Sequence, residues 1–246
     1  MKNKIFIIIF LFWSNSLMSE TLNIKSSSIT IDKKTEMTQF KGNVIAKDEE
    51  NNILKTEHAE YDKDLNILFA KGKTEIITSE KFSLQGKDII FDNKNNLIKS
   101  NKPTIIKDLE NNEIFLEKFE YSTINKFFKS SGKIKVIDSR NNSYNFSQVF
   151  IDEKKKEIVG TDIKAYLNQD DFKINEKNKP RVFANTIKID NQKNQFTKSV
   201  FTMCDYRKGK KCPPWSLQAN QMVHDKSKKT IFYDDAVVKI YDIPVF

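Results

Sequence analysis

Hydrophobic and polar residues alternate along most of the chain, and the alternation recurs every thirty residues. Five successive units carry an apolar or aromatic residue at one fixed position, namely Ile31, Tyr61, Phe91, Tyr121 and Ile151. Two residues earlier, the same units carry Ile29, Ala59, Ile89, Phe119 and Val149. Shorter columns with the same step are Leu68, Ile98 and Phe128, and Ile76, Ile106 and Val136. A fixed period of this length is typical of stacked repeats.

Within each unit, apolar residues two positions apart place one face of an extended strand toward a core. Asp or Asn follows each apolar run, as at Asp62, Asp92 and Asp138, and favours a turn there. We therefore predict an all-β, antiparallel or coiled fold of stacked units, each with two or three strands of about five to seven residues. Beyond residue 168 the spacing loosens but the pattern continues, which indicates about seven units.

The first nineteen residues form a separate segment. Lys2 and Lys4 precede an unbroken apolar run, Ile5 to Trp13, and small polar residues follow it. This order is typical of a secretory signal peptide, which we predict over residues 1–19. The run is too short to span a bilayer as a helix. The remainder is therefore expected to be exported.

Composition narrows the possible functions. The chain of 246 residues has 42 basic and 33 acidic residues, a net charge of +9. Only three basic residues are arginines, which disfavours nucleic-acid recognition. We interpret the lysines as a solvated surface whose rim could attract phosphates. With two His, two Cys and no nucleotide-binding or catalytic motif, we expect no cofactor, no metal and no enzymatic activity.

The two cysteines, Cys204 and Cys212, flank a lysine-rich stretch. Export would place them in an oxidising compartment, where they could pair with each other or with cysteines outside this chain. The spacing alone does not choose between these pairings.

Two groups of residues carry a family resemblance. The C-terminal group comprises Cys204, Cys212-Pro213-Pro214-Trp215, His224-Asp225 and Ile243-Pro244-Val245-Phe246, and it resembles the family of the LPS-assembly protein LptD, the organic solvent tolerance proteins. Upstream, Phe40-x-Gly42-Asn43-Val44 and Ala59-Glu60-Tyr61 resemble the OstA-like β-jellyroll of lipopolysaccharide transport proteins.

The resemblance implies an OstA-like β-jellyroll, an open sandwich of stacked repeats, over residues 20–200. Residues 201–246 would hold its last strands and the start of a link to an outer-membrane β-barrel, so the chain is expected to be the first part of a longer protein. It further implies lipopolysaccharide transport at the periplasmic face of the outer membrane. The implied partners are a periplasmic bridge protein of the same fold and an outer-membrane lipoprotein that accompanies the barrel. Cys204 and Cys212 would then bridge to the barrel or to each other.

The inward columns supply the candidates for lining a lipid groove. They are Ile29, Ile31, Tyr61, Leu68, Ile76, Ile89, Phe91, Ile98, Ile106, Phe119, Tyr121, Phe128, Val136, Val149 and Ile151. The same residues would equally form the core of a closed sandwich, and the sequence leaves both possibilities open.

Two alternatives to the transport role that the resemblance implies remain. One is a soluble periplasmic bridge protein of the same pathway. The other is a β-solenoid surface or adhesin protein with a structural role. Solenoids carry asparagine ladders at fixed positions, and the asparagines here are expected to fall in turns without a common register.

Overall fold

The computed structural model describes residues 22–32, 34–109, 111–168, 180–190, 192–204, 213–225, 227–228 and 230–245. The predicted signal peptide and Cys212 lie outside these residues. Every regular element in the described part is a β-strand. The strands are β1 (Asn23–Lys25), β2 (Ser28–Ile31), β3 (Met37–Lys47), β4 (Ile53–Asp62), β5 (Ile67–Ile77), β6 (Ser83–Asp92), β7 (Leu97–Ser100), β8 (Thr104–Lys107), β9 (Glu113–Leu116), β10 (Phe119–Ser122), β11 (Phe127–Ile137), β12 (Ser143–Asp152), β13 (Glu157–Tyr166), β14 (Arg181–Ile189), β15 (Lys193–Thr202), β16 (Trp215–Asp225), β17 (Thr230–Asp234), β18 (Val237–Ile240) and β19 (Ile243–Pro244).

The strands form one antiparallel sheet in which each long strand pairs along its length either with another long strand or with two short strands. The all-β prediction is therefore confirmed. Each long strand bends near its middle, so that the sheet folds along a corner into two facing halves. We call the half that contains β2, β7, β10 and β17 the front sheet, and the half that contains β1, β8, β9 and β18 the back sheet.

A thirty-residue unit contains two bent strands of ten or eleven residues, each with a front arm and a back arm. The sequence predicted two or three shorter strands per unit. The difference arises at the corner, where the pairing register shifts at Lys41/Val44 and at Ala70/Lys73. Such bulges bend a strand without ending it, so they need no full turn.

The sequence spacing between the two buried residues that flank the bend alternates from strand to strand. Buried residues on either side of the bend lie four positions apart in β3 and β5, as in Phe40/Val44. They lie three positions apart in β4 and β6, as in Thr56/Ala59. Gly42, Gly72 and Gly132 have positive φ at these bends, where a residue without a side chain is least strained.

Hydroxyl groups satisfy backbone carbonyls that the bends leave without a ladder partner. Thr56 Oγ1 lies 3.2 Å from the carbonyl oxygens of both Lys71 and Lys73. Further along the corner, Ser100 donates to the carbonyl of Lys87 at 3.0 Å and Ser130 to that of Lys118 at 2.6 Å. The small buried side chains at the corner therefore have a polar function as well as a steric one.

Turns at the edge opposite the corner, which we call the mouth, stack on one another. Asp48, Asp108 and Asp138 each hold the side chain of an Asn four residues later, at 2.7, 2.6 and 2.8 Å. The predicted role of the recurrent Asp in closing turns is confirmed.

Asparagines in these turns also link successive layers. Asn52 and Asn112 accept hydrogen bonds from the backbone N–H groups of Ser79 and Ser139, both at 3.0 Å, and Asn142 repeats the contact with Asn168 at 2.6 Å. The expectation that asparagines lack a common register was therefore wrong, because these occupy one position of the repeat. The antiparallel pairing of all described strands still differs from the parallel coils typical of a β-solenoid.

Candidate functional site

The inward residues of the front and back sheets form one apolar interior that runs the length of the stack. Ten of the fifteen groove candidates are buried there, with at most 4% of their surface exposed. They are Leu68, Ile76, Ile89, Phe91, Ile98, Ile106, Phe119, Tyr121, Phe128 and Val149. Three more candidates, Tyr61, Val136 and Ile151, are half-buried and pack against this core.

Close packing at the corner keeps the two halves together. A Cβ at Gly86 would lie 2.7 Å from Thr104 Oγ1, and one at Gly160 would lie 2.6 Å from the Phe146 ring. Neither position has room for a larger residue. The corner is thus the fixed side of the interior.

The first and last layers lack this cover. Ile29 and Ile31 on β2 are exposed to 57% and 65%, although they belong to the same columns as the buried Ile89 and Phe91. At the other end, every residue of β17 is exposed, including Ile231 and Tyr233. The interior therefore ends at both sides in uncovered apolar strands.

One inward pair interrupts the apolar lining. Asn194 and His224 are register partners on β15 and β16, and Asn194 Oδ1 is buried without a hydrogen-bond partner in the described part of the chain. The lining is therefore less apolar toward the C-terminal layers.

Charged side chains converge at the mouth beside the central layers. Lys126, in the front turn before β11, lies 3.1 Å from Glu50 Oε2, across the mouth in a back turn. On the front side, the Tyr121 hydroxyl donates to Glu153 Oε2 at 2.9 Å. The single ammonium group of Lys126 thus lies among several carboxylates.

Burial perturbs the acids of this cluster. Desolvation raises the pKa of Glu153, while the hydrogen bond from Tyr121 opposes the rise. Desolvation also raises the pKa of Asp48, against hydrogen bonds from Asn52 and the charge of Lys126. Burial, reinforced by Glu153, raises the pKa of Tyr121 far above its usual range, so this hydroxyl stays a donor. Among the described residues, the charged groups that act on these acids are the carboxylates of Glu50 and Glu80 and the ammonium group of Lys126. The interpretation of the lysines as a rim for phosphates stays a prediction.

A small cavity lies directly inside this cluster. Its volume is about 20 Å³, and residues from both sheets line it. The lining residues are Thr78, Phe82, Leu84, Ile106 and Ile114 from the back side and Tyr121, Phe128, Ile151 and Glu153 from the front side. The two sheets are therefore less tightly packed here than at the corner.

Cys204 is half-buried with a free thiol, and its backbone N–H donates to Thr202 Oγ1 at 3.1 Å. Because Cys212 lies outside the described residues, pairing of the two cysteines stays a prediction. The division of the chain at residue 200 also stays one, and β15 and β16 continue the sheet across that point.

The two histidines lie in different layers of the sheet. His58 Nε2 lies 3.7 Å from Glu60 on the outer face, far along the sheet from the layer of His224. Among the described residues, no group of three or more His, Cys, Asp or Glu side chains could hold a metal ion. The same part of the chain contains no helix that is long and apolar enough to cross a bilayer.

Sequence reasoning missed two features of the site. The corner could have been recognised from Gly42, Gly72 and Gly132, which share one phase of the repeat. The Lys126 cluster has no such signal, because it joins turns of different units that only folding brings together.

Comparisons with known proteins add little. No model of a known protein family matches the sequence, and no curated protein matches it significantly. Among solved structures, the chain is similar to LptH, the LptA homologous periplasmic component of the conserved lipopolysaccharide transport device from Pseudomonas aeruginosa. The match has a TM-score of 0.25 and 12% sequence identity, and it covers 56% of this chain and 80% of that chain. At this TM-score the likeness carries no argument about the fold or function of this chain.

Proposed function

We propose that this chain binds lipopolysaccharide through its apolar interior and conducts it through the periplasm toward the outer membrane. The observation that carries the proposal is the continuous apolar interior, which ends in uncovered strands at both sides of the stack. Fourteen layers of bent strand, counted from β1–β2 to β17–β18, give it a length of about 60 Å at the usual strand spacing.

The physical basis is the burial of acyl chains. Each methylene group removed from water contributes about 0.8 kcal/mol. An interior lined by similar residues in every layer would hold a chain equally well at many positions. A lipid could then move from layer to layer, while its polar part stays in water.

Partners of the same fold would join at the ends. β2 and β17 expose apolar side chains, and terminal strands of a stack carry backbone groups available for pairing. This supports the addition of a similar β-jellyroll to either end, as the family resemblance implies. A periplasmic location at the outer membrane and a lipoprotein partner belong to the same proposal.

A photo-crosslinking amino acid at Phe91 or Tyr121 tests the proposal in cells. Both side chains point inward, so we expect covalent capture of lipopolysaccharide at each. Matched controls are Ile90 and Glu120, the adjacent residues on the same strands, which face outward and should capture at least tenfold less.

Absence of capture at every inward position would favour a closed core and a structural role. Equal capture at inward and outward positions would mean contact with the surface only. Either result would refute transport through the interior.

A further inference from the structure

A single lysine ties the front sheet to two turns of the back sheet across the mouth. Lys126 Nζ donates to Ser79 Oγ at 2.9 Å and lies 3.1 Å from Glu50 Oε2. Only 11% of the Lys126 side chain is exposed, whereas Glu50 is 49% exposed. The bridge therefore spans the open side of the sandwich, opposite the corner that holds the sheets together.

Lys126 occupies a backbone position that suits another residue better. Its φ is 54°, in the left-handed region, and Asn66, Asn96 and Lys156 have the same φ at the equivalent turn position. Asn adopts this conformation more readily than Lys. Lysine is less stable than asparagine at this φ, and the contacts of the Lys126 ammonium group across the mouth offset that cost.

The cavity lies immediately behind this bridge. Phe82, Leu84 and Ile106 of the back side face Phe128 and Ile151 of the front side across it. At about 20 Å³ it is no larger than a single water molecule requires. An alkyl chain enters only if the two sheets move apart at this point.

We propose that Lys126 is a latch that closes an alkyl-chain slot between the sheets. The slot accepts a hydrocarbon chain when Lys126 leaves Glu50 and Ser79, and closes again when these contacts re-form. The inference deepens the proposed function and rests on it, because it identifies where the interior opens to a lipid from the side.

The residues around the slot favour the uncharged hydrocarbon part of a ligand. Its walls are apolar, and Glu153 and its Tyr121 partner lie at the entrance. Glu80 and Asp48 add negative charge next to Tyr121. The hydrocarbon part of an amphiphile enters, while an anionic headgroup remains outside.

The test measures binding of dodecanol to the full chain by displacement of the uncharged fluorophore N-phenyl-1-naphthylamine. Lys126→Asn restores the residue favoured at this turn position and removes the bridge, so the affinity should rise about fivefold. Glu50→Gln removes the same ion pair from the other side and should give a rise of about two- to fivefold. The dodecanol affinity of the double variant should be close to that of either single variant, because both substitutions break the same ion pair.

Lys156→Asn is the matched control. It makes the same substitution at the same turn position, but Lys156 is exposed. We expect no change in dodecanol affinity. Circular dichroism during thermal unfolding verifies that each variant keeps the fold, and Glu50→Gln carries the test alone if Lys126→Asn does not fold.

Unchanged affinity in the folded Lys126 and Glu50 variants, or an equal rise in Lys156→Asn, would overturn the latch. The neutral ligand separates this outcome from the proposed function. Lipopolysaccharide capture with unchanged dodecanol binding would refute only the latch, whereas raised dodecanol binding without capture would refute only transport.

Discussion

The middle and the ends of the stack use the same sequence pattern with different results. Phe91 and Ile31 belong to one column of the repeat, yet 1% of Phe91 is exposed against 65% of Ile31. Phe91 has neighbouring strands on both sides, β5 and β7, whereas β2 is paired with β3 alone. Burial in a stacked fold thus depends on the layers next to a residue as much as on the residue itself. The comparison shows which residues stabilise the chain and which are available to a ligand or partner.

The largest expected effect on stability comes from replacing Phe91 with alanine, compared with the same replacement at Ile31. Phe91→Ala should cost about 3–5 kcal/mol of unfolding free energy, because it empties a closely packed layer. Ile31→Ala should cost less than about 0.5 kcal/mol, because the side chain is already in solvent. Guanidinium unfolding followed by circular dichroism measures both. Losses of similar size would show that the ends are covered in solution and that the contrast is false.

A second prediction extends the contrast to the turns. Asn112→Ala removes the acceptor for the Ser139 N–H group and the partner of Asp108, so it should cost about 1–2 kcal/mol. At the N-terminal end, Asp32 accepts hydrogen bonds from Lys34 and Thr35 within its own turn, in an exposed position. Asp32→Ala should therefore destabilise the chain clearly less than Asn112→Ala in the same unfolding experiment. An equal loss in both variants would mean that the ladder between layers contributes nothing beyond local turn closure.

Much of the fold follows from local patterns. Alternation predicts strands because side-chain direction has a period of two, and the Asp at each strand end predicts a turn because it accepts nearby N–H groups. The bends escaped prediction because Lys102 interrupts the glycine column and because β4 and β6 bend without glycine at positive φ. At these positions the fold is set by bulges that tertiary packing selects.

The sequence predicts which residues of the candidate site face inward, but it does not predict whether the two sheets close over them. The sequence identified the inward residues, because they share a phase of the repeat. It could not separate a groove from a core, since that depends on how closely the two sheets approach. The hydrogen bond from Lys126 to Ser79, 47 residues earlier, depends on the same distance between the sheets. It also depends on how far the front turns are displaced along the stack from the back turns.

The smallest expected effect distinguishes the two acids at the front turn before β13. Burial raises the pKa of Glu153, so its ionised form is less stable in the folded chain than in the unfolded chain. Stability should therefore fall as the pH rises through the folded-state pKa, and Glu153→Gln should gain less than about 1 kcal/mol at pH 7, because the partly exposed group is screened. This gain should vanish below the unfolded-state pKa, where wild-type Glu153 is protonated. The measurement is thermal unfolding at pH 7 and pH 4.

The adjacent Asp152 provides a control of opposite sign. The backbone N–H of Lys155 lowers the pKa of Asp152, so its ionised form stabilises the fold above the unfolded-state pKa. That contribution is lost as the pH falls through the lower folded-state pKa. Asp152→Asn should therefore destabilise the chain at pH 7, and its difference from wild type should shrink in acid. If both substitutions shift stability in the same direction at pH 7, the mouth beside Tyr121 is open to water, and the contrast between a closed middle and open ends fails at its most polar point.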